Sequence, residues 1–202
     1  MRKLLLVTMF FAFACSVGLA DTFTISTMPP NYFNGVPVGP ISATLDSPPP
    51  ITVWCVDHDG IYYVPGTTTV AVNTIPFSSG EPWPPKFDQT QYEEAAILIS
   101  LYGNSSYSVA DIQYAIWLVT GGTSLGTLPP NAVYLEDWVE GLNLSLYNYS
   151  GVEILTPNPD DPDHQQEFMF GSATYVPEPS LILLLSMGGF AALAASALIK
   201  KK

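Results

Sequence analysis

The stretch SVADIQYAIWLVTGG, residues 108–122, has the apolar period and the boundaries of a buried helix. Ser108 stands at the N-cap position, and the glycine pair at 121–122 ends the helix. Gln113 and Trp117 are four residues apart and therefore share one face of the helix. The adjacent apolar stripe consists of Ile112, Ile116 and Val119. The pattern predicts that a polar amide lies at or near buried surface.

Two further segments predict helices on either side of this one. TQYEEAAILISLYG begins with a Thr90–Glu93 capping box and ends at Gly103. PPNAVYLEDWVEG, from Pro129, is predicted to be helical to Glu140, with proline in its first turn. The middle of the chain is therefore expected to hold about three helices.

Segments rich in β-branched residues flank the helices and indicate strands. Those before the helices are TFTIST from Thr22, ISATLDS from Ile41, ITVWCVD from Ile51 and TTTVAVNTI from Thr67. Proline and glycine clusters at 28–40 and 48–50 are expected to separate them, and GVEILTP and QEFMFGSATY predict two closing strands. This order predicts an α+β domain, an antiparallel β-sandwich or barrel with a helical insert of about three helices.

The N-terminal end has the pattern of an export signal. Residues 1–20 combine two basic residues with an apolar run and end in small residues, which indicates a signal peptide for the Sec translocon and signal peptidase. A lipoprotein cysteine at Cys15 is the less favoured alternative, because no leucine stands three positions before it.

The C-terminal end has the pattern of a membrane anchor. Residues 181–199 form an uncharged stretch long enough for one transmembrane helix, and the three lysines at 200–202 are expected to stay cytoplasmic. Directly before it, segment 176–180 contains Pro177, Glu178 and Pro179. In order and spacing, these parts resemble the PEP-CTERM sorting signal of Gram-negative bacteria.

That resemblance implies anchoring in the inner membrane, processing by an exosortase, and delivery to the cell surface or to an extracellular biofilm matrix. A plain C-terminal membrane anchor is the alternative. Both interpretations place residues 21–175 outside the cytoplasm as a single domain.

The exported segment is acidic. The chain has a formal net charge of −12, and Lys86 is the only basic side chain between residues 21 and 175. Such a surface repels nucleic acid, which is therefore not expected as a partner. The acids of NPDDPDHQQE are Asp160, Asp161, Asp163 and Glu167. Their spacing does not match a calcium-binding loop and favours a solvated turn, so neither a metal site nor a cofactor is expected.

Cys55, in VWCVD, is the only cysteine that remains once the signal peptide is removed, so no internal disulfide is available. It is either an inert buried side chain or a reactive thiol. The triplet Trp54-Cys55-Val56, followed by IQYAIW on the later helix, resembles the thioester domains of bacterial surface adhesins. In that family a cysteine sulfur joins the side-chain carbonyl of a glutamine with loss of ammonia. The resemblance implies this bond between Cys55 and Gln113.

The resemblance also implies an adhesive chemistry. A pocket of Trp54, Trp117, Ile112 and Ile116 would shield the bond from water. An amine-bearing partner would attack the thioester and remain attached, so the protein would be a single-use covalent anchor and not an enzyme. The scarcity of lysine fits this interpretation, and fits compositional bias equally well. The alternative is a non-catalytic structural or carbohydrate-binding envelope protein without a thioester.

Other chemistries have weaker support in the sequence. A cysteine hydrolase could use Cys55 with His58 or His164, but His58 follows by three residues and is expected on the opposite face of the strand. The two histidines are far apart in the chain and lack the spacing of zinc ligands.

Overall fold

The computed structural model describes residues 20–60, 62–78, 80–122 and 125–177. Several predicted features lie outside these ranges: residues 1–19 of the signal peptide, Glu178 and Pro179, the membrane helix at 181–199, and the basic tail at 200–202. Pro177 is exposed just after the last strand. None of the helices in these ranges has both the length and the apolar character to span a bilayer.

Within these ranges the chain forms ten strands, three α-helices and one short 3₁₀ turn. The strands are β1 Asp21–Ile25, β2 Asn31–Phe33, β3 Val36–Val38, β4 Ile41–Leu45, β5 Ser47–Cys55, β6 Gly66–Thr74, β7 Tyr147–Asn148, β8 Glu153–Pro157, β9 Phe168–Phe170 and β10 Thr174–Tyr175. The helices are α1 Gln89–Ser100, α2 Val109–Val119 and α3 Ala132–Glu140, and the 3₁₀ turn is Leu144–Leu146.

Six of the strands close into an antiparallel barrel in the order β1-β4-β5-β9-β8-β6. The remaining strands form two small sheets, β2 with β3 and β7 with β10. All three helices come between β6 and β7 in the chain. The coarse prediction of an antiparallel sandwich or barrel with three inserted helices is therefore confirmed, and the architecture is a barrel.

The end of β5 is buried on both of its faces. Val53 and Cys55 belong to the apolar cluster of the barrel interior, together with Phe23 and Phe168. Trp54, between them, belongs to the second cluster, which the helices supply. Alternate side chains of a strand point to opposite faces, so this short segment joins the two cores. For this reason its sequence is continuously apolar.

Three predicted boundaries are wrong. Helix α1 begins after Asp88, whose carboxylate accepts a hydrogen bond from the backbone N–H of Gln91 at 3.0 Å. The predicted Thr90 cap therefore lies inside the helix. Helix α3 begins after Asn131, so the prolines at 129–130 precede it. Strand β5 starts at Ser47 and includes Pro48–Pro50, which were expected to separate strands.

The segment 28–40 was expected to be irregular, yet it holds the β2–β3 hairpin. Its turn is Asn34-Gly35, with φ of 48° and 81°. Asn-Gly is the preferred pair for a two-residue turn in which both residues have positive φ. The hairpin lies against α2 and so brings the following residues to the functional site described next.

Candidate functional site

One end of the barrel is formed where β1 and β5 finish and where β4, β6 and β9 begin. The register fixes this arrangement: Ile41 pairs with Val53, Cys55 pairs with Phe168, and Ile25 pairs with Gly66. Helix α2 adds Tyr114 and Trp117 to the apolar cluster of the barrel interior. Cys55, as the last residue of β5, therefore lies at this end, beside α2.

The Cys55 thiol is 4% exposed and has two hydrogen-bond partners. Its Sγ accepts from the indole Nε1 of Trp117 at 3.3 Å and donates to the backbone carbonyl of Asp57 at 3.3 Å. Burial raises the pKa of this thiol to about 12, against the smaller lowering effect of the Trp117 hydrogen bond. The thiol is therefore strongly favoured over the thiolate.

The Gln113 side chain has no exposed surface and reaches across to the end of β5. Its amide Nε2 donates to the backbone carbonyl of Cys55 at 2.6 Å. Its carbonyl Oε1 accepts from the backbone N–H of Gly39 at 3.1 Å. The amide is thus held between the loop after β3 and the residue that carries the thiol, with its carbonyl oxygen facing a backbone donor.

Gly39 is at this position because the space allows no side chain. A Cβ there would lie 2.8 Å from Gln113 Oε1 and 3.1 Å from Cε3 of Trp54. Only glycine lets the backbone N–H come this close to the amide oxygen without displacing it.

A pocket of about 130 Å³ opens at this end of the barrel and reaches Cys55. Trp117, His58, Tyr62 and Gln166 also line it. Its apolar wall includes Ile25, Met28, Val36, Ile41, Val64 and Phe168. Met28, on this wall, is 48% exposed. The pocket therefore gives a small molecule or side chain with an apolar stem a route toward the sulfur.

His58 and Cys55 line the same pocket, so the expectation that they face opposite sides is wrong. The reason is that β5 ends at Cys55 and the chain turns immediately afterwards. Asp57 Oδ1 accepts from the backbone N–H groups of Asp59 at 3.1 Å and Gly60 at 3.0 Å, which fixes this turn. His58 is carried back toward α2, where its ring packs edge-on against Trp117 at a centroid distance of 4.9 Å.

Lys86 is engaged on the outer side of the same turn. Its Nζ donates to Asp57 Oδ2 and to the backbone carbonyl of Gln165. The Asp57 side chain is 9% exposed and the Lys86 side chain 37%, so the carboxylate is shielded from solvent while the ammonium is partly open to it. The one lysine between residues 21 and 175 thus stabilises the turn that follows Cys55.

The structure brings some of the predicted site residues together and separates others. Gln113 and Trp117 each donate a side-chain hydrogen bond to Cys55, the first to its backbone carbonyl and the second to its sulfur. Trp54 lies on the opposite face of β5 and packs against Tyr102 at a centroid distance of 5.4 Å, although its ring also approaches Gly39. Ile112 and Ile116 belong to the helical core and do not line the pocket.

Two contributors to the site escaped the sequence analysis. Gly39 reads in the sequence as an ordinary turn glycine before a proline, and nothing in that pattern points to an amide. Gln166, which donates to the backbone carbonyl of Asp57 at 2.9 Å, stood in a stretch interpreted as a solvated turn. Glu167, counted among four potential calcium ligands, is instead fully buried against Tyr92 and Thr156.

Comparisons with known proteins give structural likenesses alone. No protein-family model and no curated protein matches the chain. The thioester domain of a Clostridium perfringens surface protein has a TM-score of 0.47 at 12% identity, covering 76% of this chain and 99% of that one. The N-terminal domain of the Streptococcus pyogenes pilus tip adhesin Cpa has 0.44 at 15%, covering 80% and 97%. The thioester domain of SfbI from S. pyogenes has 0.44 at 11%, covering 77% and 94%.

Proposed function

We propose that Cys55 and Gln113 form an internal thioester that attaches the protein covalently, once, to an amine-bearing partner. The observation that carries this proposal is the placement of the Gln113 amide. The amide is fully buried and hydrogen-bonded to the backbone carbonyl of Cys55, the residue whose thiol lines a pocket. A glutamine with a purely structural role would not require a neighbouring thiol, and an inert buried cysteine would not require a pocket that reaches it.

Formation of the bond follows from these contacts. Cys55 Sγ attacks Cδ of Gln113, and the negative charge that develops on Oε1 is stabilised by the Gly39 N–H. The C–N bond breaks, Nε2 leaves as ammonia with the thiol proton, and the acyl carbon stays on sulfur. The Trp117 indole N–H, already directed at Sγ, stabilises charge on the sulfur during attack.

Consumption of the bond is an aminolysis. The nitrogen of a partner amine attacks the thioester carbon, the C–S bond breaks, and the partner remains joined to residue 113 by an amide while Cys55 regains its proton. The thioester does not form again after aminolysis, so we propose that the protein is a single-use anchor and not an enzyme. The apolar pocket wall suits an amine on an alkyl stem, such as a lysine side chain, and Lys86 is withheld from self-capture by Asp57.

A second function is favoured by one observation. Both ends of the Gln113 amide already have hydrogen-bond partners, which is the ordinary state of an inert buried glutamine. In that case the protein is a structural or matrix-binding envelope component.

Intact mass decides between the two functions. Wild-type protein and a Cys55→Ala variant are purified in parallel and weighed before and after incubation with methylamine. We expect wild type to be one ammonia lighter than its sequence and then to gain one methylamine, while Cys55→Ala does neither. A wild-type mass equal to the sequence, with no gain, would exclude the first function and leave the second.

We further propose that the Sec translocon exports the chain and that an exosortase sorts it to the cell surface through Pro177–Pro179. The sequence patterns at the two ends support this route. Peptide masses at both ends of protein recovered from cells would test it. Cleavage after Ala20 and near Pro177 is expected, and retention of residues 181–202 at the surface would contradict exosortase processing.

A further inference from the structure

We propose that His58 is a catalytic residue of the aminolysis: it accepts the proton of the incoming amine and returns a proton to the departing Cys55 sulfur. This inference rests on the proposed thioester and assigns its chemistry to a second side chain.

The first support is position. His58 and Cys55 line the same pocket, so an amine that reaches the acyl carbon next to Cys55 passes the imidazole. Trp117 contacts both residues: the His58 ring packs edge-on against its indole at a centroid distance of 4.9 Å, and the indole Nε1 donates to Cys55 Sγ at 3.3 Å. The His58 side chain is 17% exposed and therefore held in place largely by protein.

The second support is the orientation of the imidazole. Nδ1 of His58 lies 3.0 Å from Asp59 Oδ1, and the carboxylate accepts a hydrogen bond from the Nδ1–H group. The neutral ring then carries its lone pair on Nε2, which is the atom that can accept a proton from substrate. The same contact stabilises the imidazolium that forms after transfer.

The third support is the sulfur itself. Because burial raises the pKa of the Cys55 thiol to about 12, a departing thiolate would be a strong base in a poorly solvating site. Protonation as the C–S bond breaks removes this obstacle. The amine proton taken up by His58 Nε2 is the proton required on Sγ, so the step balances without any other donor.

The ionisable groups around His58 are few. Asp57 and Asp59 lie on its own turn, Cys55 and Tyr62 share the pocket, and Lys86 reaches it only through Asp57. Helix α2 contributes the neutral Trp117. Burial raises the pKa of Tyr62 to about 12, and so this phenol stays protonated at neutral pH.

The test measures methylamine uptake over time, by intact mass of the full-length protein, in wild type, His58→Gln and His164→Gln. The second histidine is the matched control, since it too bonds an aspartate but does not line the pocket. We expect all three proteins to show the ammonia deficit, which proves that the bond has formed. We expect uptake by His58→Gln to be slower by about a hundredfold, and uptake by His164→Gln to be unchanged.

The pH profile separates catalysis from packing. After correction for the fraction of free amine, the wild-type rate should rise with pH as the general base becomes available, and the His58→Gln rate should not. An unchanged rate and profile in His58→Gln would overturn the inference, and so would loss of its ammonia deficit, which would assign His58 to bond formation or folding. Absence of the deficit in wild type would instead refute the thioester itself.

Discussion

Gln113 and Glu167 are both buried polar side chains with no exposed surface, and both adjoin one peptide unit at the end of β5. The Gln113 amide donates to the carbonyl of Cys55, and the backbone carbonyl of Glu167 accepts from the N–H of Val56 at 3.1 Å. The two residues therefore support the same peptide unit from different elements, Gln113 with its side chain and Glu167 with its backbone. The groups that surround the two side chains differ, and so do the reactions that each side chain could undergo.

The Glu167 carboxylate is enclosed by donors. Oε1 accepts from Thr156 Oγ1 at 2.8 Å and from the backbone N–H of Lys86 at 3.1 Å, and Oε2 accepts from the Tyr92 hydroxyl. Glu167 lines neither of the two nearby pockets. Such a network fixes β8, β9 and the start of α1 relative to one another, and it contains no thiol.

The Gln113 amide has only two partners, and one belongs to the residue that carries a thiol. Its carbonyl faces a backbone donor, and a pocket reaches the neighbouring sulfur. The comparison teaches that burial and satisfied hydrogen bonds identify structural polar groups in general. A reactive one is distinguished by an adjacent nucleophile, a stabilised oxygen and access for a second reactant.

The contrast between the two sites is tested most strongly by Glu167→Ala, for which we expect the largest effect on stability. The change leaves the Tyr92 and Thr156 hydroxyls and the Lys86 N–H without their buried acceptor, so the free energy of unfolding should fall by about 3–5 kcal/mol. The protein that remains folded should still take up one methylamine. Urea unfolding and intact mass on one preparation measure both.

Gln113→Ala is the matched control for that experiment, with the opposite pattern. Only the Gly39 N–H and the Cys55 carbonyl lose a partner, so we expect a loss of about 1–3 kcal/mol. Methylamine uptake should vanish completely. If Glu167→Ala abolished uptake in folded protein, the two sites would form one functional unit and the contrast between them would be wrong.

Local patterns were sufficient for α2 and insufficient for the start of α1. Before α2, Ser108 is the one serine of its stretch with an acid three residues later, and its side chain accepts from Asp111 N at 3.1 Å as the pattern predicts. Before α1, Asp88–Gln91 and Thr90–Glu93 both fit a capping box. The choice depends on Gln91 Nε2, which donates to the carbonyl of Val119 at 2.9 Å, a contact with another helix.

The strands show the same limit. The Asn34-Gly35 turn was readable from the sequence and was overlooked because of the prolines around it. Pro48–Pro50 lie in β5 where its pairing with β4 is interrupted by a bulge, so the missing N–H groups break few ladder bonds. Closure of the barrel by β1 and β6 joins segments about 45 residues apart, and no local period encodes it.

The sequence predicted the two central residues of the proposed site and not the residues that support them. Cys55 and Gln113 were found because each stands in a short pattern of its own. Gly39 and His58 act through positions that depend on the hairpin, the turn after β5 and the packing on Trp117. These are tertiary contacts, and the residues that make them have no distinctive spacing in the chain.

A smaller effect, which sharpens the description of the Gln113 site, is expected for Gly39→Ala. The new Cβ would lie 2.8 Å from Gln113 Oε1, so either the amide or the loop must shift. We expect a loss of about 1–3 kcal/mol in the free energy of unfolding and an incomplete ammonia deficit, because the oxygen loses its aligned donor. Gly151→Ala is the control, since a Cβ there meets nothing within 4 Å. Equal thioester content in both variants would remove Gly39 from the mechanism.

The smallest effect concerns pH, because Glu167 titrates and Gln113 does not. Burial raises the pKa of Glu167 above its ordinary value of 4.5, outweighing the Tyr92 and Thr156 hydrogen bonds that lower it. The folded state therefore binds this proton more tightly than the unfolded state does. Its stabilising effect is complete below about pH 4.5 and is lost as pH rises through the folded-state pKa.

In Glu167→Gln this dependence is absent, so wild type should lose stability relative to the variant as pH rises, by at most about 1.4 kcal/mol per pH unit. Urea unfolding between about pH 4 and 8 measures the difference, and the offset of Gln113→Ala from wild type should stay constant over the same range. A constant offset for Glu167→Gln as well would mean that the carboxyl has the same pKa in the folded and unfolded states, and the two sites would then differ in reactivity alone.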